Sequence, residues 1–207
     1  TPNACNQCHL DEDAPWALAT LREWGVQFRD TGSHPARAFQ HIAMGDTRAV
    51  PQLVNIASDT STASIWRATA MDALGQVGGR DALQTATQLL YDDNALLRAS
   101  TVRALDFLPL NQRYPLMQPL IADDVTAVRM AVAYSLAGVP LDQVSPEQAA
   151  QLRVLFDEYL SNLQQNADMP GAQLQLGVFY ITQGDEKAAE AAYREALYLN
   201  SQLIPAY

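Results

Sequence analysis

Ile65-Trp66-Arg67-Ala68 aligns with two later segments of the chain, Leu96-Leu97-Arg98-Ala99 and Ala127-Val128-Arg129-Met130. The copies are about 31 residues apart, an interval within the range of helical-repeat proteins. A leucine stands seven positions after each arginine, at Leu74, Leu105 and Leu136. The segment 46–140 is therefore predicted to be an array of paired helices.

Acidic residues recur shortly before each copy, where each unit is expected to turn: Asp59, Asp92-Asp93 and Asp123-Asp124. Aspartate at such a turn can cap the helix that follows. Pro109 and Pro140 close the second and third units in register. This segment resembles a HEAT-type array, and its arginines and aspartates resemble the ladder that ties neighbouring HEAT units together. A solenoid is first of all a packing solution, so the resemblance predicts architecture more than chemistry.

The segment that follows the array, residues 141–169, is predicted to be a linking helix. Ser145-Pro146-Glu147 has the composition of a helix start. An apolar stripe at steps of three and four residues follows it, formed by Leu152, Leu155, Phe156, Tyr159 and Leu163.

Residues 170–207 resemble one tetratricopeptide repeat at nearly every marked position: Ala172, Leu176-Gly177, Tyr180, Gly184-Asp185, Ala189, Tyr193 and Ala196. Pro205-Ala206-Tyr207 is similar to the start of another repeat, so we expect the array to be truncated here. A repeat buries its apolar face only against a neighbour. Protein partners or a second copy are therefore expected at this end, around Tyr180, Tyr193, Leu197 and Leu203.

Cys5-Asn6-Gln7-Cys8-His9 spells the C-x-x-C-H pattern that attaches a c-type haem covalently. Two thiols three positions apart can each form a thioether with one vinyl group of the haem, while the next imidazole reaches the iron. Cys5 and Cys8 are thus expected to hold one haem c, with His9 as its proximal ligand. Trp16, Leu21 and Trp24 are suitably placed to cover a flat apolar ring, although tryptophans on a short helix are also ordinary core residues.

Two other readings of the motif are open. A thioredoxin-like redox pair lies between a strand and a helix, and nothing strand-like precedes Cys5. A structural zinc site would combine Cys5 and Cys8 with two of His9, His34 and His41, because thiolates and imidazoles suit tetrahedral zinc.

His34 is the first choice for the distal iron ligand, because it precedes Pro35 in an irregular segment and can be aimed without disturbing helix packing. His41 is the second candidate, but it must point wherever its helix points. Met44 is the third, and it would imply a higher potential than two histidines. A ligand from elsewhere in a longer protein, or an open site, would also satisfy the motif.

Charge and composition restrict the possible partners and the compartment. The 207 residues carry a net charge of −10, which disfavours nucleic acid and favours a basic redox partner. No apolar run is long enough to span a bilayer. Both cysteines belong to the motif, so no disulfide framework is expected. Haem attachment of this type takes place outside the bacterial cytoplasm, which predicts a periplasmic protein. The chain opens at Thr1 without a signal peptide, which has either been removed or lies in a longer protein.

The whole layout resembles periplasmic multihaem c-type cytochromes whose C-terminal part carries tetratricopeptide repeats. The resemblance implies an all-α helical-repeat solenoid, with a haem-binding segment at 1–45 before the three segments at 46–140, 141–169 and 170–207. It implies an electron-transfer domain with a platform for protein partners. A catalytic multihaem oxidoreductase and a haem-free interaction scaffold are the alternatives, and no cluster of proton-transfer residues favours catalysis.

Overall fold

A computed structural model describes residues 4–27 and 34–203 of the chain. The chain divides into two compact units, Thr1–Arg37 and Ala38–Tyr207. The described residues form helices and no strands: α1 (Ala14–Glu23), α2 (Pro35–Ala43), α3 (Val50–Ser58), α4 (Ser64–Val77), α5 (Gly79–Leu89), α6 (Ala95–Ala104), α7 (Leu110–Met117), α8 (Thr126–Leu136), α9 (Pro146–Gln164), α10 (Pro170–Thr182) and α11 (Glu186–Leu199). Three short 3₁₀ helices accompany them, at Cys5–Gln7, Thr47–Ala49 and Gln118–Ala122.

The unit that begins at Ala38 is a helical-repeat solenoid. Its second helices stack in series, because α4 packs on α6, α6 on α8, and α8 on α9. The leucine of each sequence copy lies in this core, and Leu74, Leu105 and Leu136 are all at most 1% exposed. The predicted repeat register is therefore confirmed.

Helices α4 and α6 approach each other closely at Gly75. A Cβ atom added there would lie 2.5 Å from the Cα atom of Ala104. Only glycine allows this separation, since real Cβ atoms do not come so close to a neighbouring backbone. Gly75 thus fixes the distance between the first and second units.

The predicted arginine ladder joins each unit to the next. Arg67 Nη2 lies 2.9 Å from Asp92 Oδ2, and Arg98 binds Asp123 through two hydrogen bonds of 2.8 and 2.9 Å. Hydrogen bonding to Arg98 lowers the pKa of the Asp123 carboxyl below its usual value of 3.8. Each of these pairs spans 25 positions in sequence.

The third rung of the ladder has a different acid. Arg129 Nε donates to Glu158 Oε2 at 2.9 Å, and Glu158 lies on α9. The pKa of Glu158 is lowered by this hydrogen bonding. Helix α9, expected to be a linker, therefore receives the same connection as a further repeat helix would.

The turn aspartates do not cap the helices, so that part of the prediction is wrong. Asp92 and Asp123 instead accept hydrogen bonds from backbone N–H groups two residues ahead, those of Asn94 and Val125. The cap of α6 is Asn94, while α4 and α8 begin without a side-chain cap. Asp92 and Asp123 lie too far before these helices to reach their first turn. They order the loop and accept hydrogen bonds from Arg67 and Arg98.

Helices α10 and α11 form the hairpin that resembles a tetratricopeptide repeat. Tyr193 fills the space beside Gly177, where a Cβ atom would clash with its ring. Tyr193 is half-buried because of this contact. The other three residues that were expected at an exposed end are also half-buried: Tyr180, Leu197 and Leu203. The exposed apolar side chains are instead Ile181, Tyr198 and Leu199. The predicted start of a further repeat at 205–207 lies outside the described residues.

Candidate functional site

The C-x-x-C-H motif forms a tight turn at the start of the described chain. The backbone N–H groups of Cys8 and His9 both donate to the carbonyl of Cys5, at 3.2 and 3.0 Å. Asn6 Nδ2 donates to the carbonyl of Glu12 at 2.6 Å, which ties the turn to the segment before α1. The turn therefore presents both thiols and the imidazole within five consecutive residues.

Helix α1 lies against this turn and is anchored by its cap. Asp13 accepts a hydrogen bond from the Trp16 backbone N–H at 2.9 Å, and Pro15 occupies the first turn, where its missing N–H costs nothing. The cap places the Trp16 ring 4.7 Å from the His9 ring, centroid to centroid, with the two planes tilted by 46°. The indole thereby limits the orientations that the imidazole can adopt.

The turn and the helix enclose a groove of about 430 Å³. Its walls are mostly apolar and contain the two cysteines and the histidine of the motif as well as the three residues proposed to cover a ring. The lining is Ala4, Cys5, Cys8, His9, Trp16, Ala17, Thr20, Leu21 and Trp24. The structure thus gathers six of the residues singled out in the sequence on one concave surface.

The chemistry of this lining fits a covalently attached haem. Both cysteines are free thiols, with Cys5 partly exposed and Cys8 exposed, so neither is committed to a disulfide. An imidazole stands directly beside them, and Trp24, which is 74% exposed, offers a large apolar face to the groove. The exposed indole and apolar walls are a surface that a flat porphyrin would bury.

The two other readings of the motif find less support. Over residues 4–27 and 34–203, no three side chains of His, Cys, Asp or Glu come together as a metal site would require. That region includes all the ligands named for zinc. The same ranges contain no strand, so the strand–helix setting of a thioredoxin-like pair is missing from them.

None of the three candidates for the distal ligand is among the residues that line the groove. His34 precedes α2, and its Nδ1 atom accepts a hydrogen bond from the Ala36 N–H at 3.1 Å. It is not among the residues that line the groove. His41 and Met44 belong to the unit that begins at Ala38, where His41 Nδ1 lies 3.3 Å from Asp46 Oδ2 and Met44 is 76% exposed.

Asp46, the partner of His41, is itself held by an arginine. Hydrogen bonding from Arg48 is the main cause that lowers the pKa of Asp46 to about 2. The same carboxylate caps the 3₁₀ helix Thr47–Ala49. His41 therefore has a local role at the end of α2, which the sequence pattern did not indicate. Asn6 and Thr20 are two further residues of the N-terminal segment whose contacts the pattern did not indicate.

The family comparison concerns the repeat unit. Residues 32–106 match the family model described as HEAT repeats. No curated protein matches the chain, and no solved structure matches it. HEAT repeats generally mediate protein interaction. No helix in the described ranges is long and apolar enough to cross a membrane. From this match and the stacked helix pairs, the chain is a helical-repeat protein that is similar to HEAT repeats over residues 32–106, and its described residues form helices and no strands.

Proposed function

We propose that this protein is a helical-repeat platform for protein partners whose N-terminal segment carries one covalent c-type haem and transfers electrons. The observation that carries the proposal is the groove in which Cys5, Cys8 and His9 face Trp16 and Trp24. A scaffold alone has no need to place two free thiols and an imidazole on an apolar surface. Covalent haem attachment also places the mature protein in the bacterial periplasm.

Each residue of the groove has a defined part in this proposal. Cys5 and Cys8 would hold the haem through two thioethers, and His9, whose ring contacts Trp16, would be its proximal ligand. When bound, a haem of this type supplies one-electron transfer at its iron. Trp24 and Leu21 would exclude water from the groove, which would tune the reduction potential. His34 would be the distal ligand, with His41 and Met44 as alternatives.

Electron transfer is preferred to catalysis for a physical reason. Outer-sphere transfer favours an iron whose ligands stay the same in both oxidation states, and two imidazoles satisfy that condition. We further propose that a basic redox partner and the exposed residues of α11 supply the contacts of the platform. The net charge of −10 supports a basic partner, and Tyr198, 84% exposed, supports association at the C-terminal repeat.

A haem-free interaction scaffold is the second candidate. It is favoured by the match of residues 32–106 to HEAT repeats, which concerns the repeat unit and not the motif. In that case Cys5 and Cys8 would remain free thiols on an exposed turn.

The two candidates are separated by producing the full chain in a periplasm that contains the haem-attachment machinery. We expect a denaturing gel to show haem-linked peroxidase activity and the visible spectrum to be that of a low-spin haem. Cys5→Ala with Cys8→Ala should abolish the stain, whereas Thr20→Ser, in the same groove, should preserve it. An exported chain without haem would refute the electron-transfer proposal and leave the scaffold.

The distal ligand is tested on the same matured protein. His34→Ala should convert the spectrum from low-spin to high-spin, while His41→Ala should leave it low-spin. The opposite pattern would assign the ligand to His41.

A further inference from the structure

A second groove, of about 660 Å³, lies in the repeat unit between the start of α8 and the outer face of α9. The 3₁₀ helix Gln118–Ala122 and the loop after it form one wall, and α9 forms the other. Six lining residues determine its chemistry: Ile121, Asp123, Asp124, Arg129, Val154 and Glu158. The groove contains the ion pair that joins Arg129 of the third unit to Glu158 on α9.

The apolar part of this groove is centred on Val154. Helix α9 buries Leu152, Leu155 and Phe156 to 5% exposure or less, yet Val154 on the same helix is 70% exposed. Of the other apolar lining residues, Ile121 and Leu155 are packed into the core at 8% and 2% exposure, while Ala122 and Ala150 are exposed but small. Val154 is therefore the large apolar side chain that an occupant of the groove would remove from water.

The charged part of the groove is negative, because its lining has three carboxylates and one guanidinium. Asp123 is bound by Arg98 and Glu158 by Arg129, so both acids are neutralised by the ladder. Asp124 is different. Among residues 4–27 and 34–203, no basic group lies within 4.0 Å of it. Arg153 precedes Val154 on α9, but it does not line the groove.

Asp124 still contributes to the local field. The pKa of Arg129 is raised, chiefly by its hydrogen bonding to Glu158 and in smaller part by the charges of Asp123 and Asp124. Because no described basic group forms an ion pair with Asp124 within 4.0 Å, a new cation in the groove could contact this carboxylate directly. Such a cation gains from being held beside an apolar wall, where solvent screening is weaker than on an open surface.

We propose that this groove docks a basic, apolar segment of a partner protein, with a lysine or arginine against Asp124 and an apolar side chain on Val154. The inference rests on the platform function proposed above and assigns one surface and one partner chemistry to it. Charge complementarity selects this occupant, since an acidic segment would meet a groove with an excess of negative charge. Both residues lie outside the packed core, so the groove can be changed without rebuilding the fold.

The probe for this proposal is a short synthetic peptide of lysine and leucine, titrated into the ¹⁵N-labelled full chain. We expect amide signals to shift around Asp124 and along α9 near Val154. Peptides of glutamate with leucine and of lysine with serine should bind at least threefold more weakly, because each lacks one half of the chemistry. Added salt should weaken binding of the lysine–leucine peptide.

Matched variants then identify the two contacts. Asp124→Asn should weaken binding about threefold, the effect of one exposed ion pair. Val154→Ser should weaken it about tenfold, as expected for the lost burial of one aliphatic side chain. The controls are Asp157→Asn, an exposed acid on the same helix outside the lining, and Ile65→Ser, an apolar side chain that is 58% exposed. Neither control should change the affinity.

Four results would overturn the assignment. Equal effects of the control variants would show that attraction to an acidic surface is unspecific, and signal shifts on another helix face would place the docking surface elsewhere on the platform. Absence of peptide binding would exclude this partner chemistry. Sedimentation that shows a dimer abolished by Val154→Ser would instead assign the groove to a second copy. The haem spectrum of the same sample reports separately on the electron-transfer proposal.

Discussion

Breaking the central rung of the ladder should destabilise the repeat unit strongly. Arg98 and Asp123 have side chains that are only 14% and 7% exposed, and two hydrogen bonds join them. Arg98 Nη1 also donates to the carbonyl of Asp92 at 2.9 Å. Asp123→Asn removes the counter-charge and leaves a guanidinium in a region with little solvent.

The magnitude follows from this burial. Removing one partner of a fully buried ion pair costs about 3–5 kcal/mol, and the partial exposure of Arg98 reduces the expected loss to about 2–3 kcal/mol. The matched control is Glu190→Gln, which breaks the pair between Glu190 and Arg194. Those side chains are 63% and 78% exposed, so the control should cost about 0.5 kcal/mol or less.

The assay is urea unfolding followed by circular dichroism, applied to Asp123→Asn, Arg98→Met and the double variant. A double-mutant cycle should give a coupling energy of about 1.5–3 kcal/mol between the two residues. Coupling no larger than that of the control pair would refute the view that the ladder stabilises the array.

The pH dependence of the same pair has a defined sign. Because Arg98 lowers the pKa of Asp123 in the folded state, the unfolded chain binds this proton more readily. The stabilisation is therefore fully present above the unfolded pKa of 3.8 and is lost as the pH falls below it towards the folded value. The stability difference between the natural chain and Asp123→Asn should shrink over that acidic interval, whereas a difference that grew on acidification would contradict the assigned cause.

Two further predictions concern close packing and the C-terminal repeat. Gly75→Ala should lower the free energy of unfolding by about 1–3 kcal/mol, because its methyl group would clash with Ala104. The control in thermal denaturation is Gly171→Ala, since an added methyl group there would have no neighbour within 4 Å. Equal stabilities of the two variants would show that α4 and α6 can separate without cost. Tyr198→Ser together with Leu199→Ser should reduce self-association of the full chain in sedimentation experiments, since both side chains are exposed on α11. A natural chain that is monomeric at all concentrations would exclude that contact.

The repeat unit could be predicted from sequence because its signals are local and recur. Leu74, Leu105 and Leu136 stand at one register position, and each is at most 1% exposed. The third rung could not be predicted, since Glu158 lies 29 positions after Arg129 instead of 25. A longer helix brings it into reach, and helix length is set by packing that no local pattern contains.

The candidate haem groove was predictable to a similar extent. The motif itself identifies Cys5, Cys8 and His9, and the spacing of α1 brings Trp16 to the imidazole. The identity of the distal ligand depends on where the fold places each candidate side chain. The residues next to His34 in the sequence do not determine that placement. Likewise, Tyr193 is half-buried because its ring lies against Gly177 across the hairpin, whereas the repeat pattern predicted it at an exposed end.

The ladder also has a consequence for how the repeat unit opens. Each arginine reaches a carboxylate of the following unit, and Arg98 and Arg129 additionally hold backbone carbonyls of the loop that precedes their own helices. A unit can detach from its successor only if its arginine releases that carboxylate, so the rungs form barriers in series. Hydrogen exchange should then rise in steps along the chain, with protection changing at α4, α6 and α8 and staying nearly level within each. Fraying that begins at one end would halt at the nearest intact rung, so the array would lose whole repeats one after another.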